Sequence, residues 1–192
     1  MNKFIVVSYY TKKTGYQQEA AKLEQSLMKH GIPYHIAAVP NLGSWLKNTH
    51  LKAVFMKNIL EQFYGVDIVW TDADSIFHSY PKLFDTIDCD IALHFRDWRP
   101  VQGELLIGTI YHRNNGKVRK LINNWIRFNR KNPLRRAQLN FESVFKQNKK
   151  SLKVFKLPVE YCCIFDDEKR SRIKPVIEHF QASRKYRQAV ER

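Results

Sequence analysis

The sequence predicts an α/β domain in which a mixed central sheet is flanked by helices, and three observations support this. The chain has 192 residues, which is enough for one domain with a sizeable core. Strand-like and helix-like segments alternate along its first half, as expected for a sheet built from βα units. No internal repeat or linker divides the sequence, so we expect a single domain over residues 1–192.

The first elements follow from local patterns. Residues 3–9 are apolar and β-branched, which predicts a buried strand. Thr14 opens a capping-box pattern, so a helix should begin at about Tyr16. Gly31-Ile32-Pro33 should end this helix. Residues 34–39 then predict a second strand.

A second helix is expected after Ser44, which is a suitable N-cap residue. The helical pattern extends to about Phe63, shortly before Gly65. Trp45, Asn48 and Lys52 are spaced so that they share one face of this helix.

The next strand ends in two acidic residues. Residues 66–71 form a short apolar run, and Asp72-Ala73-Asp74 follows where this strand ends. Ligands of open α/β sheets bind beyond the carboxyl ends of the strands. Two carboxylates one residue apart can converge on Mg²⁺ or Mn²⁺, which prefer oxygen ligands and share them with substrate phosphates. An isolated Asp-x-Asp is more often a helix cap or a polar turn, so its position at a strand end is what favours metal binding.

The second half also alternates between strands and helices. Strands are expected at 89–94, 104–111 and 152–157, and residues 175–180 should be extended. Helices are expected at 116–131 and 137–147, of which the first has the clearest apolar stripe.

Basic residues are concentrated in one segment of the chain. The net charge is +15, but residues 1–112 carry 11 Lys and Arg against 11 Asp and Glu. Residues 113–156 carry 14 basic residues and one acidic residue, Glu142, whereas residues 157–192 carry 8 against 6. A neutral half followed by such a segment favours a polyanionic partner. A surface adapted only for solubility is the alternative interpretation.

Several classes of protein do not fit the sequence. No apolar run reaches the ~20 residues needed to span a bilayer, and the apolar N-terminal stretch lacks a cleavage-site pattern, so we expect a cytoplasmic protein. The cysteines Cys89, Cys162 and Cys163 have neither the even count of a disulfide framework nor the spacing of a zinc site. No Gly-rich phosphate loop is present, which argues against a phosphoryl-transfer enzyme.

The segment around the two aspartates has a wider likeness. The run 66–77, VDIVWTDADSIF, resembles the metal-binding strand of nucleotide-diphospho-sugar transferases with the GT-A fold. Residues 80–84, YPKLF, are similar to the proline and apolar pair that often follow this strand. Residues 8–11 look like the end of the family's first strand, and residues 103–111 like the strand beside the donor sugar. Residues 177–185 resemble its His-Phe stretch followed by a basic residue.

The likeness extends from residue 4 to about residue 185. It implies a GT-A, Rossmann-like fold, a nucleotide-sugar donor and a divalent cation, Mn²⁺ or Mg²⁺. A UDP-sugar is the commonest donor in that family. The metal ligands implied by the resemblance are Asp72, Asp74 and His179. The residues expected to bind the donor are Tyr9, Tyr10, Thr11, Asp72, Ala73, Arg184 and Lys185, together with Lys52, whose helix face could point toward the same edge.

The catalytic residues depart from the family pattern. Many retaining members have an acidic residue before a Gln, but here Ala137 precedes Gln138. An inverting enzyme needs a general base near the acceptor hydroxyl, for which Asp97 and Glu104 are the candidates. A retaining enzyme that attacks from the front face needs no such base. The His-Phe ending resembles retaining members, so we expect retention, with Asp97, Glu104 and Gln138 as the candidate catalytic residues.

The acceptor is inferred from charge. The predicted helix at 116–131 has a polar face rich in Lys and Arg, which suits contacts with a nucleic-acid backbone. We therefore expect a DNA acceptor bound through the basic segment 113–156. Its target would be a hydroxymethylated pyrimidine, as for some bacteriophage enzymes, flipped out of the duplex. Two alternatives remain open: a cell-surface glycan or lipid-linked acceptor, and a nucleic-acid-binding module without catalysis.

Overall fold

The computed structural model describes residues 4–96, 103–166 and 172–190, with side chains described up to residue 186. The strands are β1 (Phe4–Thr11), β2 (Tyr34–Val39), β3 (Asp67–Thr71), β4 (Ser75–Phe77), β5 (Ile91–Phe95), β6 (Leu105–His112), β7 (Val154–Lys156), β8 (Cys163–Ile164) and β9 (Ile177–His179). The helices are α1 (Tyr16–Lys29), α2 (Trp45–Gln62), α3 (Leu83–Thr86), α4 (Gly116–Lys131), α5 (Ala137–Asn148) and α6 (Ser183–Val190).

A mixed six-stranded sheet forms the centre of the molecule, in the order β2-β1-β3-β6-β5-β7. β1 is parallel to both β2 and β3, whereas β6 is antiparallel to both of its neighbours. A smaller sheet has the order β4-β9-β8. The predicted α/β class with a mixed central sheet is therefore confirmed.

Helices cover both faces of the central sheet. On one face α2, α4 and α5 pack against the sheet, and their core contains Met56, Trp70, Trp125 and Phe141. On the other face α1 packs on β1, and Leu23 belongs to a second core cluster. Both faces are buried because the central strands carry apolar side chains on both sides, as expected for an α/β sheet.

The two first helices begin differently from one another. Ser44 caps α2 as predicted, and its hydroxyl accepts from the backbone N–H of Lys47 at 3.5 Å. The capping box expected for α1 is not formed, because the N-cap residue is Gly15 and the Thr14 hydroxyl donates to the carbonyl of Thr11 at 2.7 Å. Thr14 therefore closes the turn after β1 instead of capping the helix.

The direction of β6 determines where the basic segment lies. β6 is antiparallel to β3, so His112 lies opposite Ile68, away from the end of β3 that carries the two aspartates. α4 begins just after His112 and returns toward the aspartate end, and α5 then runs away from it. The basic segment is thus divided between the two ends of the sheet. Within the described chain, no helix combines the length and apolar character needed to cross a membrane.

Candidate active site

A cleft of about 490 Å³ opens at the edge where the carboxyl ends of β1 and β3 lie side by side. Parallel strands bring their carboxyl ends to one edge of a sheet, which is the usual ligand site of such folds. The residues that line the cleft include Tyr9, Tyr10, Thr11, Tyr16, Trp45, Asn48, Lys52, Trp70, Asp72, Ala73, Asp74, Arg96, Glu104, Gly108, Arg136, Gln138, Leu139, Ile164, His179 and Arg184.

The cleft brings together the three residues predicted to bind a metal. Asp72 and Asp74 follow β3, whereas His179 ends β9 and lies 105 residues after Asp74 in the sequence. β9 pairs with β4 so that His179 is opposite Ser75, beside the aspartate turn. One ligand atom from each of the three side chains lies within 4.8 Å of the others. Two carboxylates and an imidazole are a donor set that suits Mn²⁺ or Mg²⁺.

Asp72 is held by two donors from the surrounding helix and strand. Its Oδ1 accepts from Lys52 Nζ at 2.7 Å and from Trp70 Nε1 at 3.1 Å. Lys52 is buried, with 7% of its surface exposed, and also donates to the carbonyl of Ile107 at 3.2 Å. The predicted face of α2 therefore does point into the site. These contacts fix one carboxylate oxygen of Asp72.

Asp74 is fixed by the chain segment that follows β9. Its Oδ2 accepts from the backbone N–H of Ala182 at 2.6 Å, and its carbonyl accepts from the N–H of Phe180 at 2.9 Å. Burial, and then the nearby charge of Asp72, raises the pKa of Asp74 to about 6. Two carboxylates that repel each other in this way are stabilised by a cation between them.

His179 is positioned by β6. Its Nε2 lies 2.8 Å from the hydroxyl of Thr109, which fixes the orientation of the ring. A Cβ atom at Gly108 would lie 3.0 Å from His179 Cε1, so glycine at this position allows the ring to approach the strand closely. Burial lowers the pKa of His179 to about 4. The imidazole is therefore neutral near pH 7 and keeps a lone pair for a cation.

The residues predicted to bind the donor divide between two cavities. Tyr9, Tyr10 and Thr11 line the main cleft with Ala73 and Arg184. Lys185 does not line the main cleft, but lies in a neighbouring cavity of about 360 Å³. Their contacts with a donor remain predictions.

Two of the residues predicted to bind the donor, Tyr9 and Arg184, already contact partners within the chain. Tyr9 donates its hydroxyl to the carbonyl of Asn48 at 2.7 Å, and its ring packs against Trp70 with 5.3 Å between centroids. Arg184 forms an ion pair with Asp166 at the mouth of the cleft. Tyr9 therefore offers the cleft its ring more than its hydroxyl.

Glu104 and Gln138 meet on the opposite side of the cleft. Gln138 Nε2 donates to Glu104 Oε1 at 3.0 Å, and Arg96 Nη1 donates to Glu104 Oε2 at 3.0 Å. The structure therefore joins two of the three candidate catalytic residues in one network. Asp97, the third, lies outside the described residues.

Several supporting residues were not identified from the sequence. Gly108 and Thr109 contact His179 only because β6 and β9 come together at this edge, whereas Trp70 donates to Asp72 from two residues earlier in the same segment. Trp70 does precede the aspartates in the strand, but an aromatic residue in an apolar run predicts a core position equally well. Nothing in the sequence marks Gly108 or Thr109 as neighbours of His179.

No family model matches the sequence, and no curated protein matches it. Among solved structures, the chain is similar to a glycosyltransferase involved in the glycosylation of the major capsid of PBCV-1, with a TM-score of 0.72, 13% identity and coverage of 99% of this chain and 97% of the other.

The chain is also similar to the glycosyltransferase GlyE of Streptococcus pneumoniae TIGR4, with a TM-score of 0.63 and 16% identity. The apo form of GlyE gives a TM-score of 0.64 at 14% identity. Both alignments cover 93% of this chain and 54% of GlyE, so the chain spans about half the length of that protein. At these identities the likeness establishes the fold alone. The chain therefore has the fold of the GT-A nucleotide-sugar transferases that its aspartate strand resembles.

Proposed function

We propose that this chain transfers a sugar from a nucleotide-diphosphate sugar, with a divalent cation held by Asp72, Asp74 and His179. The observation that carries the proposal is the convergence of these three side chains, with ligand atoms within 4.8 Å, in a cleft at the carboxyl ends of β1 and β3. The glycosyltransferase fold supports it. A UDP-sugar is the donor we would test first.

The transfer breaks the bond between the sugar C1 and the diphosphate oxygen, and forms a bond between C1 and an acceptor oxygen. The acceptor hydroxyl loses its proton, and the nucleoside diphosphate leaves with the bonding electrons. A bound cation would neutralise charge on this leaving group. Lys52 adds a second positive charge beside Asp72, and Arg184 adds one at the mouth of the cleft.

We infer retention of the anomeric configuration from the carboxylates of the cleft. Among the lining residues that the structure describes, Glu104 is the one carboxylate apart from Asp72 and Asp74. Both of its oxygens accept hydrogen bonds, from Arg96 and Gln138, and taking up a proton would neutralise the charge that holds this network together. Front-face attack, in which the leaving diphosphate takes the acceptor proton, fits this arrangement. Proton NMR of the anomeric coupling in the product tests this, and an inverted product would contradict it.

We infer that the acceptor belongs to a polyanionic partner, as the basic segment suggests. A hydroxymethylated pyrimidine in DNA is the hypothesis from the sequence. What supports it is that the carboxyl end of α4 and the start of α5 lie beside the cleft, where Arg136 and Gln138 line the wall. The remaining part of the segment, including Lys149 and Lys150 after α5, lies at the other end of the sheet. The nature of the partner therefore has to be inferred from the residues around the cleft, and not from the charge of the whole segment.

The donor site can be tested without knowing the acceptor. A ligand at 100 times its Kd stabilises the folded state by about 2.7 kcal/mol, which corresponds to roughly 5–10 °C in Tm for a domain of this size. We expect such a rise for the wild type with Mn²⁺ and UDP together. Asp74→Asn should remove the rise, because it removes a charged ligand while its amide oxygen can still accept from Ala182. Asp88→Asn, an exposed acid-to-amide change beside Arg113 and Lys153 at the opposite end of the sheet, should keep it.

A wild type that shows no rise would contradict the proposal and leave the non-catalytic module as the explanation. The same would follow if Asp74→Asn and the wild type rose equally. A screen of nucleotide sugars with Mn²⁺, including DNA that contains hydroxymethyl-pyrimidines, would then identify the donor and test the DNA hypothesis in one experiment.

A further inference from the structure

Exposed apolar side chains are concentrated around the mouth of the cleft. Eight large hydrophobic residues of the described chain are exposed, and contacts place five of them at the cleft. Leu139 lines it, and Phe165 and Phe180 line the adjoining cavity. The N–H of Leu42 donates to Asn48 in the lining, and Leu134 precedes Arg135, whose carbonyl contacts His50. These five, here called the mouth residues, are Leu42, Leu134, Leu139, Phe165 and Phe180. Isolated exposed apolar residues are ordinary, but a group of them at one site marks an interaction surface.

The loop between α4 and α5 is the most exposed part of this surface. Leu134 has 90% of its surface exposed, more than any other large hydrophobic residue described. The sequence from residue 130 to residue 139, RKNPLRRAQL, has four basic residues and no acidic residue. The carbonyl of Arg135 lies 2.8 Å from His50 Nε2, which ties the loop to α2. A leucine is thus presented at the tip of a loop between cations.

A second apolar group lies on the other side of the mouth. Phe165 and Phe180 stack on each other with 5.8 Å between ring centroids, and they are 40% and 37% exposed. The Arg184 guanidinium lies 5.9 Å from the Phe165 ring, and Lys185 lines the same cavity. Phe165 and Phe180 thus lie beside Arg184 and Lys185, so both sides of the mouth combine apolar and basic groups.

This combination distinguishes between the anionic partners. Phosphate contacts on a duplex require cations and polar groups, but not five exposed apolar side chains around the catalytic opening. A membrane surface uses both: apolar side chains enter the boundary between headgroups and acyl chains, and Lys and Arg contact anionic lipid heads. We propose that the mouth of the cleft docks on an anionic phospholipid bilayer, which presents the acceptor to the site.

The inference rests on the proposed transferase function and specifies its acceptor as one held at a membrane surface. It also selects among the hypotheses from the sequence, because the lipid-linked acceptor fits the mouth residues better than DNA does. Apolar and basic groups next to the opening would bring the donor sugar close to the lipid headgroups. The transfer itself is the same bond exchange described above.

Binding to vesicles of phosphatidylglycerol tests the inference, with phosphatidylcholine vesicles and a DNA duplex as the other arms. Each Lys or Arg near an anionic surface contributes roughly fivefold to partitioning, so Arg130→Gln with Lys131→Gln should weaken vesicle binding about 25-fold. Leu134→Ser should weaken it several-fold, since it removes the inserted side chain.

Matched variants at the other end of the molecule control for charge and hydrophobicity. Lys149→Gln with Lys150→Gln removes two cations after α5, and Met28→Ser removes a leucine-sized side chain that is 64% exposed at the end of α1. Both should leave vesicle binding within about twofold of the wild type, because their positions face away from the docked surface.

Three results would overturn the inference: no binding to phosphatidylglycerol vesicles, equal losses in the mouth and control variants, or binding to DNA that depends on residues 130, 131 and 134 without binding to vesicles. The stabilisation by Mn²⁺ and UDP is measured separately. If that stabilisation is present while vesicle binding is absent, the membrane inference fails and the transferase proposal stands. If it is absent while vesicle binding depends on the mouth, the transferase proposal fails.

Discussion

The burial of His112 should make the stability of the folded protein sensitive to acid. His112 is fully buried at the end of β6, between Ile68 of β3 and Ile91 of β5. Burial lowers the pKa of His112 to about 3, with a smaller contribution from the charge of Lys52. The unfolded chain should titrate near the ordinary value of about 6.5. Below pH 6.5 the unfolded state therefore binds a proton that the folded state does not.

This difference in proton binding makes the free energy of unfolding depend on pH. The contribution of neutral His112 to the free energy of unfolding is fully present above pH 6.5. It decreases by about 1.4 kcal/mol per pH unit as the pH falls from 6.5 toward 3. Between pH 7 and pH 5 the loss is about 2 kcal/mol. His112→Leu removes this proton, so the variant should lose about 2 kcal/mol less than the wild type over the same interval. Urea unfolding at the two pH values measures both losses.

The difference between pH values matters here, because replacing a buried side chain changes stability at every pH. His179 and the paired carboxylates also contribute to acid sensitivity, but they do so equally in both proteins. His30→Gln, which changes a partly exposed histidine after α1, serves as the control and should match the wild type. If His112→Leu and His30→Gln show the same pH dependence, the assignment of a buried neutral imidazole is wrong.

Three further predictions concern the cleft and the packing of α6 beside it. Gly108→Ala should weaken Mn²⁺ binding roughly tenfold while the protein stays folded, because the new Cβ displaces the His179 ring; calorimetric titration with Mn²⁺ measures it, and unchanged affinity would argue against this ligand. Gly15→Ala should lower the Tm by several degrees, since its Cβ would lie 2.2 Å from the Tyr186 ring, and an unchanged melting curve would show that α6 does not pack there. Lys52→Met should raise the affinity for Mn²⁺ alone several-fold, by removing a cation beside the metal carboxylates, but should weaken UDP binding; a loss of both affinities would show a purely structural role.

The sequence predicted most of the succession of strands and helices along the chain, but not the contacts that surround the site. Residues 66–71 were expected as a strand ending in Asp72 and Asp74, and the structure places β3 at Asp67–Thr71 with both aspartates in the cleft. Such strands can be predicted because the pattern of apolar side chains is local in the sequence. The capping box predicted at Thr14 is not formed, because its hydroxyl donates to the carbonyl of Thr11 in the turn after β1.

The charge of the sequence predicted an anionic partner, but not which basic residues lie beside the cleft. Charge counting located a basic segment at 113–156, but it could not show which of its residues face the cleft. That depends on β6 being antiparallel, which places the loop at Leu134 beside the opening and Lys149 far from it. Exposure of apolar side chains, which favours a membrane over a duplex, is likewise a property of the folded surface.

What the sequence by itself determined is the α/β class and the aspartate pair at a strand end, and by resemblance it named His179 as the third candidate metal ligand. What only the tertiary structure decided is the support of these ligands. Lys52 contacts Asp72, and Gly108 and Thr109 contact His179, through elements that are distant in the chain. Such contacts depend on strand order and register, which are set by the packing of the whole core and are not encoded in any local pattern.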